Sequence, residues 1–163
     1  MKRTLIAIFL LIVAGALQSR AADQMKISGS APDFLMAATI AMGLLLDPAL
    51  GAVFGFGAGL VQASIVGLSF GGFIASRTLL GFGVGSLRLW FFQENPLVLV
   101  AACLLGTIAC EGLLFLIEPV RSSSAAIAQL PMESVYNAVL ALVCYFLMRR
   151  AMEPRRKELE VRS

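Results

Sequence analysis

The chain has no histidine and few charged residues. Histidine is absent from its 163 residues, and charged side chains make up only 14% of them. The lack of histidine removes the commonest general base and the commonest metal ligand, so no Ser-His-Asp triad can be assembled. Soluble domains carry about 25% charged residues. A chain this poor in charge has too little polar surface to cover a water-soluble globule.

Cysteine is also scarce. Cys103, Cys110 and Cys144 all lie in apolar stretches, and none forms a Cys-x-x-Cys pair. We interpret them as small apolar packing residues, and we expect neither a disulfide framework nor a zinc site. The glycine-rich run at 81–85 lies inside an apolar segment with no strand before it, so it is not a dinucleotide fingerprint. We expect no catalytic, cofactor-binding or metal-binding residue and no enzyme activity.

Apolar residues dominate what is present. Hydrophobic residues make up 59% of the chain, and the mean hydropathy is +0.88. Long continuous apolar segments of this kind predict transmembrane helices. The sequence therefore predicts an all-α, polytopic transmembrane bundle of about six helices in a single domain covering 1–163. The expected spans are about 4–17, 34–46, 50–66, 73–92, 97–117 and 128–148.

The distribution of basic residues predicts the orientation. Nearly half of the 13 basic residues lie in the tail at 149–163. Basic clusters beside spans stay in the cytoplasm and contact anionic lipids, so we expect both termini to be cytoplasmic and no nucleic-acid binding. The tail contains Arg149, Arg150, Arg155, Arg156, Lys157 and Arg162.

The first apolar segment admits a second interpretation. Lys2, Arg3, the apolar run at 5–17 and the small residues Ser19 and Ala21 resemble a cleavable signal peptide. Cleavage would leave five spans and place the basic tail outside the cytoplasm. We therefore expect the segment to be retained as the first span.

Two ionisable residues lie inside the expected spans. Arg77 and Glu111 each lie about six residues, or roughly 9 Å, from the outer end of their span. Charges inside a membrane are costly, so equal depth on successive helices predicts an ion pair. The pair could lock two helices together or take part in binding, or either residue could reach the interface. Gln62 and Ser64 are expected to hydrogen-bond between helices.

Glycines recur at helical spacing in the third and fourth spans. Gly51, Gly55 and Gly59 are four residues apart, and Gly81 and Gly85 repeat the pattern. Such rows allow close approach of another helix. At the start of the second span, Ser30 is expected to cap the helix and Asp33 to favour its dipole. The expected helix-packing glycines are Gly51, Gly55, Gly59, Gly67, Gly71, Gly81 and Gly85.

These residues resemble the MreD family of bacterial rod shape-determining membrane proteins. The resemblance covers nearly the whole chain. It includes a basic first span ending at 16–19, the Ala-Pro-Asp-Phe at 31–34, the glycine-rich stretch at 51–62, the Gly-x-x-x-Gly at 67–71 and the basic tail. The family usually carries an acidic residue after the Gly-Leu run, where this chain has Ala63.

The resemblance implies a non-catalytic scaffold in the bacterial cytoplasmic membrane. Such a protein would maintain rod shape by linking an MreC-like protein and the MreB filament to a RodA-type polymerase and a class B penicillin-binding protein, during lateral peptidoglycan synthesis. The fold is expected to be similar to the six-helix substrate-binding component of energy-coupling-factor transporters. The alternative function is therefore a substrate-binding subunit of such a transporter, which predicts polar residues gathered near the outer face.

Overall fold

The computed structural model describes residues 2–26, 29–90, 96–117 and 124–152. These residues form six α-helices and no strand, with a short 3₁₀ helix at Asp23–Met25 after the first. The fold is thus a helical bundle. The helices are α1 (Lys2–Arg20), α2 (Phe34–Leu45), α3 (Pro48–Val66), α4 (Phe70–Trp90), α5 (Pro96–Ile117) and α6 (Ser124–Met152).

The central element is α2, which contacts each of the other described helices. Its 12 residues extend about 18 Å, well short of a 30 Å hydrocarbon core. Nearly all of them are buried, with Leu35, Met36 and Ile40 fully enclosed. The helix therefore does not extend beyond its apolar segment. Its neighbours shield it from lipid instead.

Side chains and a left-handed glycine fix the helix ends. Asp33, in extended conformation, caps α2 by accepting a 2.7 Å hydrogen bond from the Met36 amide. The expectation that Ser30 caps this helix is therefore wrong, because the chain stays extended until Asp33. Asp47 caps α3 in the same way through the Leu50 amide, and Gly67 ends it at φ 73°.

The outer surface of the bundle is apolar. Four helices, α1, α3, α5 and α6, are long and apolar enough to cross a membrane. α2 is apolar but shorter, and α4 carries Arg77 and Arg88. Large apolar side chains such as Leu116 and Leu89 are mostly exposed. A surface of this kind suits contact with lipid chains.

The helices extend beyond several of the expected spans. α1 continues to Arg20, and α6 runs from Ser124 through Pro131 to Met152. The expected breaks at 93–96 and 118–124, and the tail beyond Met152, lie wholly or largely outside the described residues. The same is true of four of the tail's basic residues, Arg155, Arg156, Lys157 and Arg162.

Candidate functional site: a buried charge cluster

Arg77 lies in the interior of the bundle with no exposed surface. Its Nη2 donates to Asp33 Oδ2, and Glu111 Oε1 is 3.9 Å from the same nitrogen. Its Nη1 donates to the Cys110 Sγ at 2.7 Å. The expected partner, Glu111, thus lies at the outer limit for an ion pair. The direct partner of Arg77 is Asp33.

Asp33 connects three helices. One carboxylate oxygen caps α2 at Met36, and the other accepts from Arg77 on α4. Its backbone amide donates to Asn137 Oδ1 on α6 at 2.9 Å, and the Asn137 amide is 3.5 Å from the Met36 sulfur. A buried carboxylate needs hydrogen-bond donors, and the Met36 amide and Arg77 supply them.

Sequence reasoning missed Asp33 because it gave the residue a purely local role at the helix start. One signal pointed to the larger role. Asp33 precedes an apolar span at its expected outer end, the end at which Arg77 and Glu111 were predicted to lie. An acidic residue at that depth could have been tested as a partner for Arg77 alongside Glu111.

The cluster brings two carboxyl groups to one guanidinium. Within the described chain, Arg77 Nε and Thr107 Oγ1 are buried without a hydrogen-bond partner. The guanidinium carbon also lies 6.0 Å from the centre of the Phe73 ring, a cation–π distance. No group of three or more Cys, Asp and Glu side chains within the described ranges could hold a metal ion. The observed chemistry of the cluster is ion pairing between helices.

Polar side chains hold the first residue of α2 and the segment before it to neighbouring helices. Each bond is made to α1 or α6, so this part of the chain is fixed to both. The bonds are Phe34 N to Gln18 Oε1 (2.8 Å), Ser30 Oγ to the Gln129 carbonyl (3.3 Å) and Tyr136 OH to the Met25 carbonyl (3.0 Å). Of these side chains, only Ser30 was given a structural role by its position in the sequence.

The glycine row of α3 faces α4. An ideal Cβ at Gly51 would lie 2.5 Å from the Gly81 carbonyl oxygen, and one at Gly59 would lie 2.5 Å from that of Phe73. A Cβ at Gly55 would overlap the Arg77 carbonyl oxygen. The row therefore allows close helix contact inside this chain.

The remaining expected glycines divide into two groups. Gly81 meets the Gly51 backbone, and a Cβ at Gly85 would lie 2.8 Å from the Pro48 Cα. Gly67 and Gly71 were grouped with the packing glycines, but the structure places neither at a helix contact. A Cβ at either would meet no described atom within 4 Å. Gly67 instead supplies the positive φ that ends α3.

The polar positions of α3 differ from expectation. Ser64 is exposed and donates to the Leu60 carbonyl of its own helix at 2.8 Å, so it makes no bond between helices. Gln62 is buried, and its Oε1 has no hydrogen-bond partner among the described residues. Ala63 is fully buried against Phe73 and Leu114. The position at which the resemblance implied an acidic residue is thus an apolar contact in this chain.

Apolar helices around an interior ion cluster define the class: this is a multi-pass α-helical membrane protein. A family model for the rod shape-determining protein MreD matches residues 1–153. The chain therefore belongs to the MreD family, whose role is rod shape determination. Comparison with characterised proteins and with solved structures gives no match. No solved structure therefore supports the expected likeness to the energy-coupling-factor component.

Proposed function

We propose that this chain is a non-catalytic scaffold of the cell-elongation machinery in the bacterial cytoplasmic membrane. It would link an MreC-like protein and the MreB filament to a RodA-type polymerase and a class B penicillin-binding protein. The family match over residues 1–153 carries this proposal. Anionic lipids would contact the basic tail, and both termini would lie in the cytoplasm.

The interior of the bundle supports a structural role. The one fully buried arginine among the described residues contacts carboxylates from two other parts of the fold, Asp33 and Glu111. A charge held this way fixes helix positions, because each partner would be unstable without the other. A scaffold needs such a fixed shape in order to present constant surfaces to several partners.

The positions of the glycines limit the surfaces that are available to partner proteins. Because Gly51, Gly55 and Gly59 face α4, they are occupied within the chain. Partners would instead meet the lipid-facing side chains or the helix ends. The glycine rows are therefore not part of the proposed partner contacts.

One observation favours the alternative, a substrate-binding transport subunit. Polar side chains do gather at the end of the bundle proposed to face outward, including Gln18, Asn137 and Asp33. Their described bonds, however, are to backbone amides, to Arg77 and to the Met36 sulfur. A binding site needs polar groups directed at a ligand, so we retain the scaffold as the main proposal.

Affinity purification of the tagged chain from crosslinked membranes tests the two functions directly. The scaffold predicts recovery of an MreC-like protein, a RodA-type polymerase and a class B penicillin-binding protein. A matched sample carrying Arg77→Gln should lose these proteins as the fold weakens, whereas Arg20→Gln should retain them. Recovery of a transmembrane coupling subunit with two ATPases would instead establish the transport function and overturn the scaffold.

A further inference from the structure

A cavity of about 290 Å³ lies where α1, α2, α3 and the end of α4 meet. Its rim carries Arg3, Asp47 and Arg88, and its wall is apolar, with Ile8, Leu11, Val53 and Phe54 among the lining residues. All four helix ends belong to the same end of the bundle, because α1 and α3 begin there while α2 and α4 end there. One mouth thus combines positive charge with an apolar wall.

The cavity exists because α1 and α3 contact each other more closely further along. A Cβ at Gly15 would lie 2.9 Å from Val61, and one at Gly57 would lie 3.1 Å from Leu11. Nearer the mouth, Ile8 is 50% exposed and Val53 is 67% exposed. In a membrane these exposed side chains face lipid, so the cavity opens sideways towards acyl chains as well as towards the headgroup layer.

The charge at the mouth favours an anion. Arg88 is half-buried and held in place, because its Nη1 donates to the Leu45 carbonyl at 2.8 Å. That carbonyl belongs to the last turn of α2, where carbonyls lack helical partners. Asp47 directs one carboxylate oxygen to the Leu50 amide. The two arginines and the one aspartate leave a net positive rim.

We propose that this cavity is a binding site for an anionic phospholipid of the leaflet at this end of the bundle. The headgroup phosphate lies between Arg3 and Arg88, and the first part of one acyl chain follows Ile8, Leu11 and Val53. The volume is near the lower limit of about 300–1,000 Å³ for small-molecule sites, so it accepts part of one chain and not a whole lipid. Arginine suits the phosphate because its planar fork donates two hydrogen bonds.

Native mass spectrometry of the purified full chain tests this site with two probes, phosphatidylglycerol and phosphatidylcholine of identical acyl chains. The wild-type chain should retain phosphatidylglycerol preferentially. Each arginine near a lipid surface contributes enough to change binding about fivefold. We therefore expect Arg3→Gln to lower the selectivity by about that factor, with Arg20→Gln, an exposed arginine at the other end of α1, as the matched control.

A second pair of variants tests the apolar part. Ala7→Phe fills the cavity, and Ala16→Phe places the same ring on the exposed side of α1 near its other end. We expect the first to reduce lipid occupancy and the second to leave it unchanged. Soluble glycerol phosphate should not displace the lipid, because it lacks the acyl chain.

Equal retention of the two lipids, an equal effect of Arg20→Gln, or displacement by glycerol phosphate would each overturn the proposal. The thermal midpoint of each variant in detergent identifies any variant that fails to fold. If Ala7→Phe fails to fold, the comparison of Arg3→Gln with Arg20→Gln still tests the site. The measurement uses no partner protein. Its result is therefore independent of the scaffold function.

Discussion

Asp33 and Arg77 lie 44 residues apart and form a direct ion pair in the interior of the bundle. The arginine side chain has no exposed surface, and that of the aspartate is 8% exposed. Removing one partner leaves the other charge buried, which costs more than the pair itself contributes. The pair therefore makes the position of α4 depend on the start of α2.

Loss of the arginine should strongly destabilise the fold. Breaking a buried ion pair from one side costs about 3–5 kcal/mol, so we expect Arg77→Gln to lower the free energy of unfolding by that order. Arg77→Lys should cost less but not be neutral, because one ammonium cannot reach both Asp33 and Cys110 as the guanidinium does. Denaturation in detergent measures both, with the exposed Arg20→Gln as control. An unfolding midpoint for Arg77→Gln equal to that of the control would contradict this prediction.

Double-mutant cycles should rank the two acidic partners. We expect Arg77→Gln to couple more strongly to Asp33→Asn than to Glu111→Gln, because Asp33 bonds directly and Glu111 is 3.9 Å away. Residues in one network couple by about 0.5–3 kcal/mol. Stronger coupling through Glu111 would show that the pair expected from the sequence is the dominant one.

A methyl group between α3 and α4 should be poorly tolerated. Gly55→Ala would place its Cβ against the Arg77 carbonyl oxygen, a backbone atom that cannot rotate away. Overpacking costs about 1–3 kcal/mol. Gly83→Ala on α4 is the matched control, since its Cβ would meet no described atom within 4 Å. Unfolding midpoints that fall equally for both variants would argue against close α3–α4 contact.

Local patterns were enough to predict the helices and the glycine rows, but not the partners of either. Apolar length and four-residue spacing are properties of one segment, so α3 and its glycines could be identified from the sequence. That Gly51 meets Gly81 depends on how two helices pack. The choice of Asp33 over Glu111 is also non-local, because it depends on how deep α2 lies within the bundle. Gly67 was wrongly grouped with the packing glycines because it continues the glycine pattern of α3 beyond the end of that helix.

The segment before α2 should depend on Asn137. This fully buried side chain accepts from the Asp33 amide, so Asn137→Ala leaves that donor unsatisfied. An unmade buried hydrogen bond costs about 1–3 kcal/mol. Ser19→Ala is the control, because the Ser19 hydroxyl is exposed and its described bond is to the Ala16 carbonyl of its own helix. If thermal unfolding in detergent does not distinguish the two variants, the bond contributes little.

Reporter fusions should reveal the proposed orientation. With both termini in the cytoplasm, a fusion after residue 47, between α2 and α3, lies inside, and one after residue 68, between α3 and α4, lies outside. Alkaline phosphatase is active only outside the cytoplasmic membrane. Green fluorescent protein that is exported unfolded does not fluoresce, so fluorescence marks a fusion point inside. We therefore expect phosphatase activity at 68, and fluorescence at 47 and at the C-terminus. The charges agree with this direction, because Arg3, Arg88 and Arg150 lie at the end predicted to face inward. Phosphatase activity at the C-terminus would reverse the orientation and move the proposed lipid site to the outer leaflet.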